Sequence, residues 1–238
     1  MQTLAALVLA AGLALGGLFV GFGFARGRAT ERFVEVKGLS EKPVKANLAL
    51  WPLRFVVSAA DLAAAQAAAT TATNEVLAFV KRHGIDASAA ELQNLQVTDS
   101  MTEMYRQDRS GPRFVITQTV MVRSADVDTV IRASQRVSEL VAAGVVLSST
   151  GEFGGAGPTY LFTGLNELKP AMIAEATANA RQAAEQFARD SGSSLGGIKQ
   201  ANQGVFVILP RDQAPGVQEG SQPQKVVRVV STVQYFLD

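Results

Sequence analysis

The sequence predicts an α+β protein in which largely antiparallel sheets are covered by alanine-rich helices, preceded by one N-terminal transmembrane helix. Three observations support this fold class. Segments rich in β-branched residues recur in pairs, as in hairpins. Single alanine-rich segments with helical periodicity separate these pairs. The opening segment is apolar, and the elements that follow it have the order ββ-α-ββ-α-β-α-ββ.

The opening segment has the length of a membrane span. Residues 3–25 carry no ionisable side chain, and a helix of that length covers a hydrocarbon core of about 30 Å. A cleaved secretory signal is the alternative, with a basic start and an apolar run of about 7 to 15 residues. Here no Lys or Arg precedes a longer run, and only Gly23 and Ala25 resemble a cleavage site. We expect a retained anchor and linker in residues 1–31, and one domain in residues 32–238.

Small residues recur four positions apart within the opening segment. This spacing lets helix backbones approach closely and associate in lipid. The sequence therefore predicts a helix-association face formed by Gly12, Gly16, Gly17 and Gly21. The alternative is that glycine is simply common in membrane helices.

The first strand pair is predicted at residues 33–38 and 44–57, where β-branched residues are frequent. Pro52 lies inside the second of these strands. Because proline has no N–H to donate to a ladder, it marks either an edge position or a bulge.

An alanine-rich helix is predicted next, at residues 60–82, with Asp61 or Ser58 as its N-cap. Two further strands at residues 91–98 and 113–123 form a hairpin with a long polar connector. The later elements are a helix at 125–142, an extended segment at 145–149, a strand at 159–165, a helix at 170–190, and two strands at 204–209 and 225–237.

Composition argues against several classes of function. Lys and Arg number 22 against 21 Asp and Glu, so the net charge of +1 gives no electrostatic basis for binding nucleic acid. Cysteine is absent from the sequence, which excludes disulfides, thiolate nucleophiles and cysteine-based zinc sites. His83 is the only histidine, and its position in the helix-ending KRHG indicates a contact with the helix dipole. The sequence has no nucleophile elbow, phosphate loop or metalloprotease motif, so we expect no catalytic residues, no cofactor and no metal.

A carboxylate-dependent or metal-dependent enzyme is the least favoured alternative. Glu152, Glu167 and Glu175 lie close in sequence, and paired carboxylates serve acid–base or Mg²⁺ chemistry when burial separates their pKa values. The favoured interpretation is a solvated helix face, where Glu185 precedes Arg189 by the favourable four residues. Asn166 is interpreted as an N-cap.

The helix at residues 170–190 is apolar over a broad arc but slim. Small side chains allow close approach to a sheet or to the helix of another subunit. The predicted packing or oligomer face contains Ala171, Ala174, Ala178 and Phe187.

Three segments carry a resemblance to a known family. They are VEVKGLSEKPVKANLALWPLRF, GLNELKPAMIAEATANARQAAEQFARDSGSSLGGI and VVRVVSTVQYFL. In this order and spacing the chain resembles the SIMPL domain family, which has an N-terminal strand pair, an alanine-rich helix with an AxxNAR-like core, a glycine-containing link and a terminal strand. The resemblance covers roughly residues 32–238. Its motifs are structural signatures rather than catalytic ones.

The resemblance implies an α+β domain that is usually exported to the bacterial cell envelope. It also implies frequent self-association, a loose link to stress defence and no accepted biochemical activity. Arg26, Arg28 and Arg32 follow the apolar segment, and the positive-inside rule alone places the folded part in the cytoplasm. We follow the resemblance and expect a single-pass protein of the inner membrane with a periplasmic domain.

The leading hypothesis is therefore a non-enzymatic, membrane-anchored scaffold whose partners are the lipid bilayer and other copies of itself, with a ring as one arrangement. The alternative is a binding module that captures a peptide or small ligand. Its connectors at residues 99–112 and 210–224 would then be mobile loops that border the binding site.

Overall fold

The computed structural model describes residues 10, 12–21, 32–101, 111–148 and 157–238. The α+β class and the antiparallel sheets predicted from the sequence are confirmed. The strands are β1 (Phe33–Lys45), β2 (Leu48–Ala59), β3 (Ala90–Asp99), β4 (Phe114–Ser124), β5 (Thr159–Leu161), β6 (Leu195–Gln203), β7 (Val207–Pro210) and β8 (Gln224–Leu237). The helices are α1 (12–21), α2 (Leu62–Arg82), α3 (Val127–Ser134), α4 (Ser138–Ala142) and α5 (Leu165–Asp190).

The chain forms two compact units. The first comprises Met1–Leu39, Ala174–Gly204 and Val230–Asp238, and the second comprises Ser40–Ile173 and Val205–Val229. Strands β1 and β8 and helix α5 contribute residues to both units.

The described part of helix α1 lies inside the predicted membrane span. Within the described residues, no helix combines the length and the apolar character that crossing a membrane requires, so the predicted N-terminal transmembrane helix is not found there. Residues 1–9, 11 and 22–31 lie outside the described part of the chain. The predicted association residues are exposed, with open space around a Cβ at each; they are Gly12, Gly16, Gly17 and Gly21.

In the first unit, α5 packs on the sheet along a row of alanines. Strand β8 lies between β1 and β6 in this sheet. The buried face of the helix repeats every four residues, and its members in this unit are 0 to 3% exposed: Ala176, Ala180, Ala184 and Ala188. Val36, Val233 and Tyr235 are the buried strand residues of the same cluster.

A glycine lets the helix backbone touch the sheet. A Cβ at Gly38 of β1 would lie 1.8 Å from the carbonyl oxygen of Ala176 and 2.5 Å from the amide nitrogen of Ala180. Asn179 then donates a side-chain hydrogen bond of 2.8 Å to the carbonyl of Leu39. We call the contact of Gly38 and Leu39 with residues 176–180 the α5 seam.

The second unit contains the larger core. Its sheet has the order β3-β4-β2-β5, with antiparallel pairing throughout. Trp51, Phe55 and Phe79 are fully buried, and the Trp51 and Phe79 rings meet edge to face at 6.1 Å. Helix α2 begins as predicted, because the carboxylate of Asp61 accepts the N–H of Ala64 at 2.9 Å.

Pro52 lies in an inner strand in unbroken register with β4, so neither the predicted edge strand nor the predicted bulge is found there. Val56 N–H and the Arg54 carbonyl both bond residues 146–148, so by the two-residue alternation of a strand Pro52 directs its nitrogen to that same side. On this side, β5 pairs only with residues 48–50. Pro52 therefore lies between two pairing segments, where a missing N–H breaks no ladder bond.

The strand predicted at 159–165 ends at Leu161, and three further element predictions were wrong in detail. The helix predicted at 125–142 is broken into α3 and α4, with turns at residues 135–137 between them. The last helix begins at Leu165, so Pro170 lies inside it rather than in its first turn, and Asn166 is not its N-cap. The third error is an omission, since β6 was not predicted.

Candidate functional site: two open sheet edges

Strand β3 forms an exposed edge of the second unit's sheet. Among the described residues it pairs with β4 alone. Leu92, Leu95 and Val97 are 52, 56 and 48% exposed. An unpaired strand edge is a template for pairing with another chain, and exposed apolar side chains add to that tendency. Strand β3 is therefore the first candidate association surface.

A bulge divides β3 into two parts. The register with β4 shifts between Gln93 and Gln96, and Asn94 has a φ of 51°, a left-handed conformation that asparagine tolerates better than most residues. After the bulge, residues 96–99 pair with β4 without interruption. The bulge disturbs the first half of the edge and leaves the second half regular.

The end of β3 is fixed by an ion pair. Arg113 Nη2 donates to Asp99 Oδ2 at 2.9 Å, and Arg113 Nε lies 3.2 Å from both carboxylate oxygens. These hydrogen bonds lower the pKa of Asp99. Ser100 N–H also donates to the carbonyl of Arg113 at 2.8 Å. Because backbone groups alternate in direction along a strand, even-numbered residues after the bulge direct theirs toward β4. Val97 therefore directs its backbone N–H and carbonyl outward, away from β4.

Strand β6 forms an exposed edge of the first unit's sheet. Within the described ranges it pairs only with β8, and residues 197–203 are all exposed. The register shifts twice before Gln200 and then runs regularly through residues 200–203. Gly204 N–H donates to the Val230 carbonyl at 2.9 Å. Because backbone groups alternate in direction, Ala201 and Gln203 direct theirs away from β8.

The bulged part of β6 is held against the open face of its sheet. The Lys199 ammonium lies 4.2 Å from the centre of the Phe33 ring and 5.6 Å from that of Phe236. A cation over two aromatic rings stabilises this arrangement by about 0.5 to 1 kcal/mol at an exposed site. The irregular half of β6 is therefore anchored, and residues 200–203 continue from it in regular register with β8.

The residues predicted as a face of the last helix do not lie together. Ala171, Ala174 and Ala178 are exposed and share one side of α5, away from its buried alanine row. At about 100° per residue, Phe187 lies roughly half a turn around the helix from Ala178, and it is 58% exposed. None of the four belongs to the buried packing face, and their role in an oligomer contact stays a prediction.

Those titratable residues considered in the sequence that the structure describes do not converge on one site. His83 is the C-cap of α2, as its dipole role predicts, and its Nε2 lies 3.0 Å from Glu139 Oε2. Glu167 and Glu175 are exposed on α5 and about 12 Å apart along its axis, while Glu152 lies outside the described residues. In the part of the chain that the structure describes, no cluster of three or more acidic or histidine residues is placed to hold a metal ion.

The connector at 210–224, predicted to be mobile, is held by an ion pair and hydrogen bonds within the second unit. The fully buried ammonium of Lys225 lies 2.5 Å from Glu219 Oε1 and donates to the Glu219 carbonyl at 2.6 Å. The Gln222 amide exchanges two hydrogen bonds with the backbone of Asp212. Of the other connector, residues 102–110 lie outside the described part of the chain.

A family model described as SIMPL, a protein of unknown function (DUF541), matches residues 34–235. The chain belongs to the SIMPL family. The resemblance predicted from the sequence is thus confirmed. A comparison with curated proteins finds no match.

The structure explains what the SIMPL-like segments do in this chain. The AxxNAR-like core begins at Ala176, and its Ala176, Asn179 and Ala180 form the α5 seam with Gly38 of the first segment. Its arginine, Arg181, pairs with Glu185 at 3.0 Å on the helix surface. These residues join a helix to a sheet, so their presence specifies a fold rather than a reaction.

Proposed function

We propose that this SIMPL protein is a membrane-anchored scaffold of the bacterial cell envelope that assembles with copies of itself and has no catalytic activity of its own. The inner-membrane location, the periplasmic side and a loose link to stress defence follow from what the family resemblance implies. Self-association is supported by one observation above others: each of the two units ends in an exposed strand edge.

Exposed edges favour association for a physical reason. Water satisfies the backbone groups of a free edge, but a second strand satisfies them while also covering neighbouring apolar side chains. Natural proteins commonly block such edges with proline, lysine, bulges or a covering element. Here the regular halves, residues 96–99 and 200–203, contain neither proline nor lysine, and no described strand pairs with their outer sides.

The membrane anchor is proposed from the sequence. Residues 3–25 carry no ionisable side chain, and the glycine spacing within them suits helix association in lipid. Copies held in one membrane meet at a high effective concentration. Contacts between short strand edges are then sufficient for assembly, even where each contact is weak alone.

The test is intact-mass analysis of the full chain purified from native membranes, followed by sizing in mild detergent over a range of concentrations. We expect the full-length mass and a discrete assembly larger than a monomer. Loss of about 25 residues would refute the anchor, since a signal peptide of that length is removed on export. A monomer at every concentration would refute self-association.

A further inference from the structure

We propose that copies of this protein join by strand addition, with the regular half of β3 in one copy pairing with the regular half of β6 in the next. This inference rests on the proposed self-association and names the two surfaces that carry it. The paired segments are residues 96–99 of one copy and residues 200–203 of the other. The occupant of each open edge is thus a second copy of the same chain.

The two segments match in length and in freedom from bulges. Each runs for four residues in uninterrupted register with its inner neighbour, starting directly after a bulge. Each also presents outward backbone groups: those of Val97 on β3, and those of Ala201 and Gln203 on β6. A joined pair would continue both sheets across the contact with ordinary antiparallel or parallel ladder bonds.

Charge selects the mixed pairing over two identical ones. Strand β3 contains no basic residue, and of its two carboxylates Asp99 is already paired with Arg113, which leaves Glu91; β6 contains Lys199 and no acidic residue. Pairing β3 with β3 brings the two Glu91 carboxylates onto adjacent strands, and pairing β6 with β6 brings lysines together. Pairing β3 with β6 places opposite charges on adjacent strands, so it is the favoured combination.

Side chains at the contact also suit a mixed pair. Val97 is exposed on β3 and adds β-branched apolar surface. Its proposed partner segment offers the small Ala201 between the amide side chains of Gln200 and Asn202. Amides bond across strands without the desolvation that a buried charge requires.

The mixed pairing determines the kind of assembly. Every copy has one β3 and one β6, so each contact leaves an open edge of the other kind at both ends of a growing assembly. Head-to-tail contacts of this type close into rings or continue as open chains. A contact of β3 with β3 would instead stop at a dimer.

Cysteine cross-linking of the full chain tests the pairing, and the natural sequence has no cysteine to interfere. The single variant Gln96→Cys is mixed with Gln200→Cys or, in a separate sample, with Gln203→Cys. Each mixture, as assembled protein in detergent, is treated with a short bismaleimide. We expect cross-linked dimers from each β3 and β6 mixture and none from either variant alone. Gln182→Cys, exposed on α5, serves as the control for random collision.

Proline substitution provides the second test. Ala201→Pro and Val97→Pro each remove an outward N–H, so the inner ladder keeps its bonds while strand addition is blocked. We expect the large species to be lost in both variants and kept in Ala201→Thr and Val97→Thr, with unchanged circular dichroism in all four.

The outcomes separate this inference from the proposed function. Three results would each overturn the strand pairing and leave self-association standing. They are assembly without cross-links between β3 and β6, cross-linked dimers formed by Gln96→Cys alone, and proline variants that remain assembled. A wild-type protein that is monomeric at every concentration would overturn both.

Discussion

Replacing Gly38 tests whether direct backbone contact holds α5 on its sheet. The φ of Gly38 is not in the left-handed region, so glycine is required there for space rather than for backbone conformation. In Gly38→Ala the new Cβ would lie 1.8 Å from the Ala176 oxygen, and a real Cβ essentially never comes closer than 3.0 Å to such an atom. The helix must therefore retreat by about 1.2 Å, because backbone cannot rotate away as a side chain does.

The expected loss follows from the packing of the alanine row. Gaps of about 0.5 to 1 Å forfeit a quarter to a half of the dispersion energy between contacting atoms. All four buried alanines of the row lose contact when the helix moves. Overpacked core sites lose about 1 to 3 kcal/mol and occasionally more, and we place Gly38→Ala at about 3 kcal/mol because the obstacle is backbone. Gly38→Val is expected to lose more.

The assay is urea unfolding followed by far-ultraviolet circular dichroism, which detects α5. Gly197→Ala is the matched control, since it is also a strand glycine of the first unit but has nothing within 4 Å of the added Cβ. We expect the control to change the unfolding free energy by less than about 0.5 kcal/mol. If Gly38→Ala is as stable as Gly197→Ala, the seam does not depend on backbone contact and the reasoning is wrong.

Three further predictions concern buried or paired polar groups. Ser231→Ala should leave the unfolding free energy equal or raise it by up to about 1 kcal/mol, because the buried Ser231 hydroxyl has no hydrogen-bond partner among the described residues. The control Thr73→Val removes a buried hydroxyl bonded to the Ala69 carbonyl at 2.8 Å and should lower the unfolding free energy. Equal losses in the two variants would contradict the view that the Ser231 hydroxyl does not stabilise the fold. Lys225→Met should lower the unfolding free energy by about 2 to 3 kcal/mol, since it leaves the Glu219 carboxylate without its ion-pair partner. The same change at the exposed Arg228, which pairs with Glu41 at 3.1 Å, should lower it by under about 1 kcal/mol. Similar losses in urea unfolding would show that burial of the ion pair is unimportant. The Thr129 hydroxyl and N–H both donate to Asp126 and lower its carboxyl pKa, so its stabilisation is complete above the unfolded pKa of about 3.9 and is lost as pH falls through the folded value. Asp126→Asn should therefore be less stable than wild type at neutral pH and approach it in acid, and a gap that stays constant with pH in urea unfolding would count against the pair.

The strongly patterned elements were predictable from local signals. Helix α2 has its Asp61 cap and a Gly84 with a φ of 80° just after its end, as the start and stop residues indicate. The hairpin of β3 and β4 follows from alternating apolar residues. The break between α3 and α4 was not predictable from periodicity, because the helical spacing of Val130, Ala133, Val137 and Leu140 continues across it.

The candidate site was only half predictable. Strand β3 has the composition of a strand. Its position at the edge of the sheet, with no described strand on its outer side, cannot be read from the sequence. Strand β6, LGGIKQANQ, has two glycines and several amides and no apolar alternation, so it lacks the signal by which buried strands are recognised. Because residues 197–203 are exposed, most of β6 needs no apolar face, and its strand character comes from pairing with β8.

The single tryptophan of the chain is Trp51, and it lies in the core of the second unit. Indole fluorescence therefore monitors unfolding of that unit alone. Circular dichroism, in contrast, also records α5, most of which belongs to the first unit. Coincident urea transitions by the two spectroscopic signals would mean that the units unfold as one cooperative system, and separated transitions would assign a stability to each unit without any engineered probe.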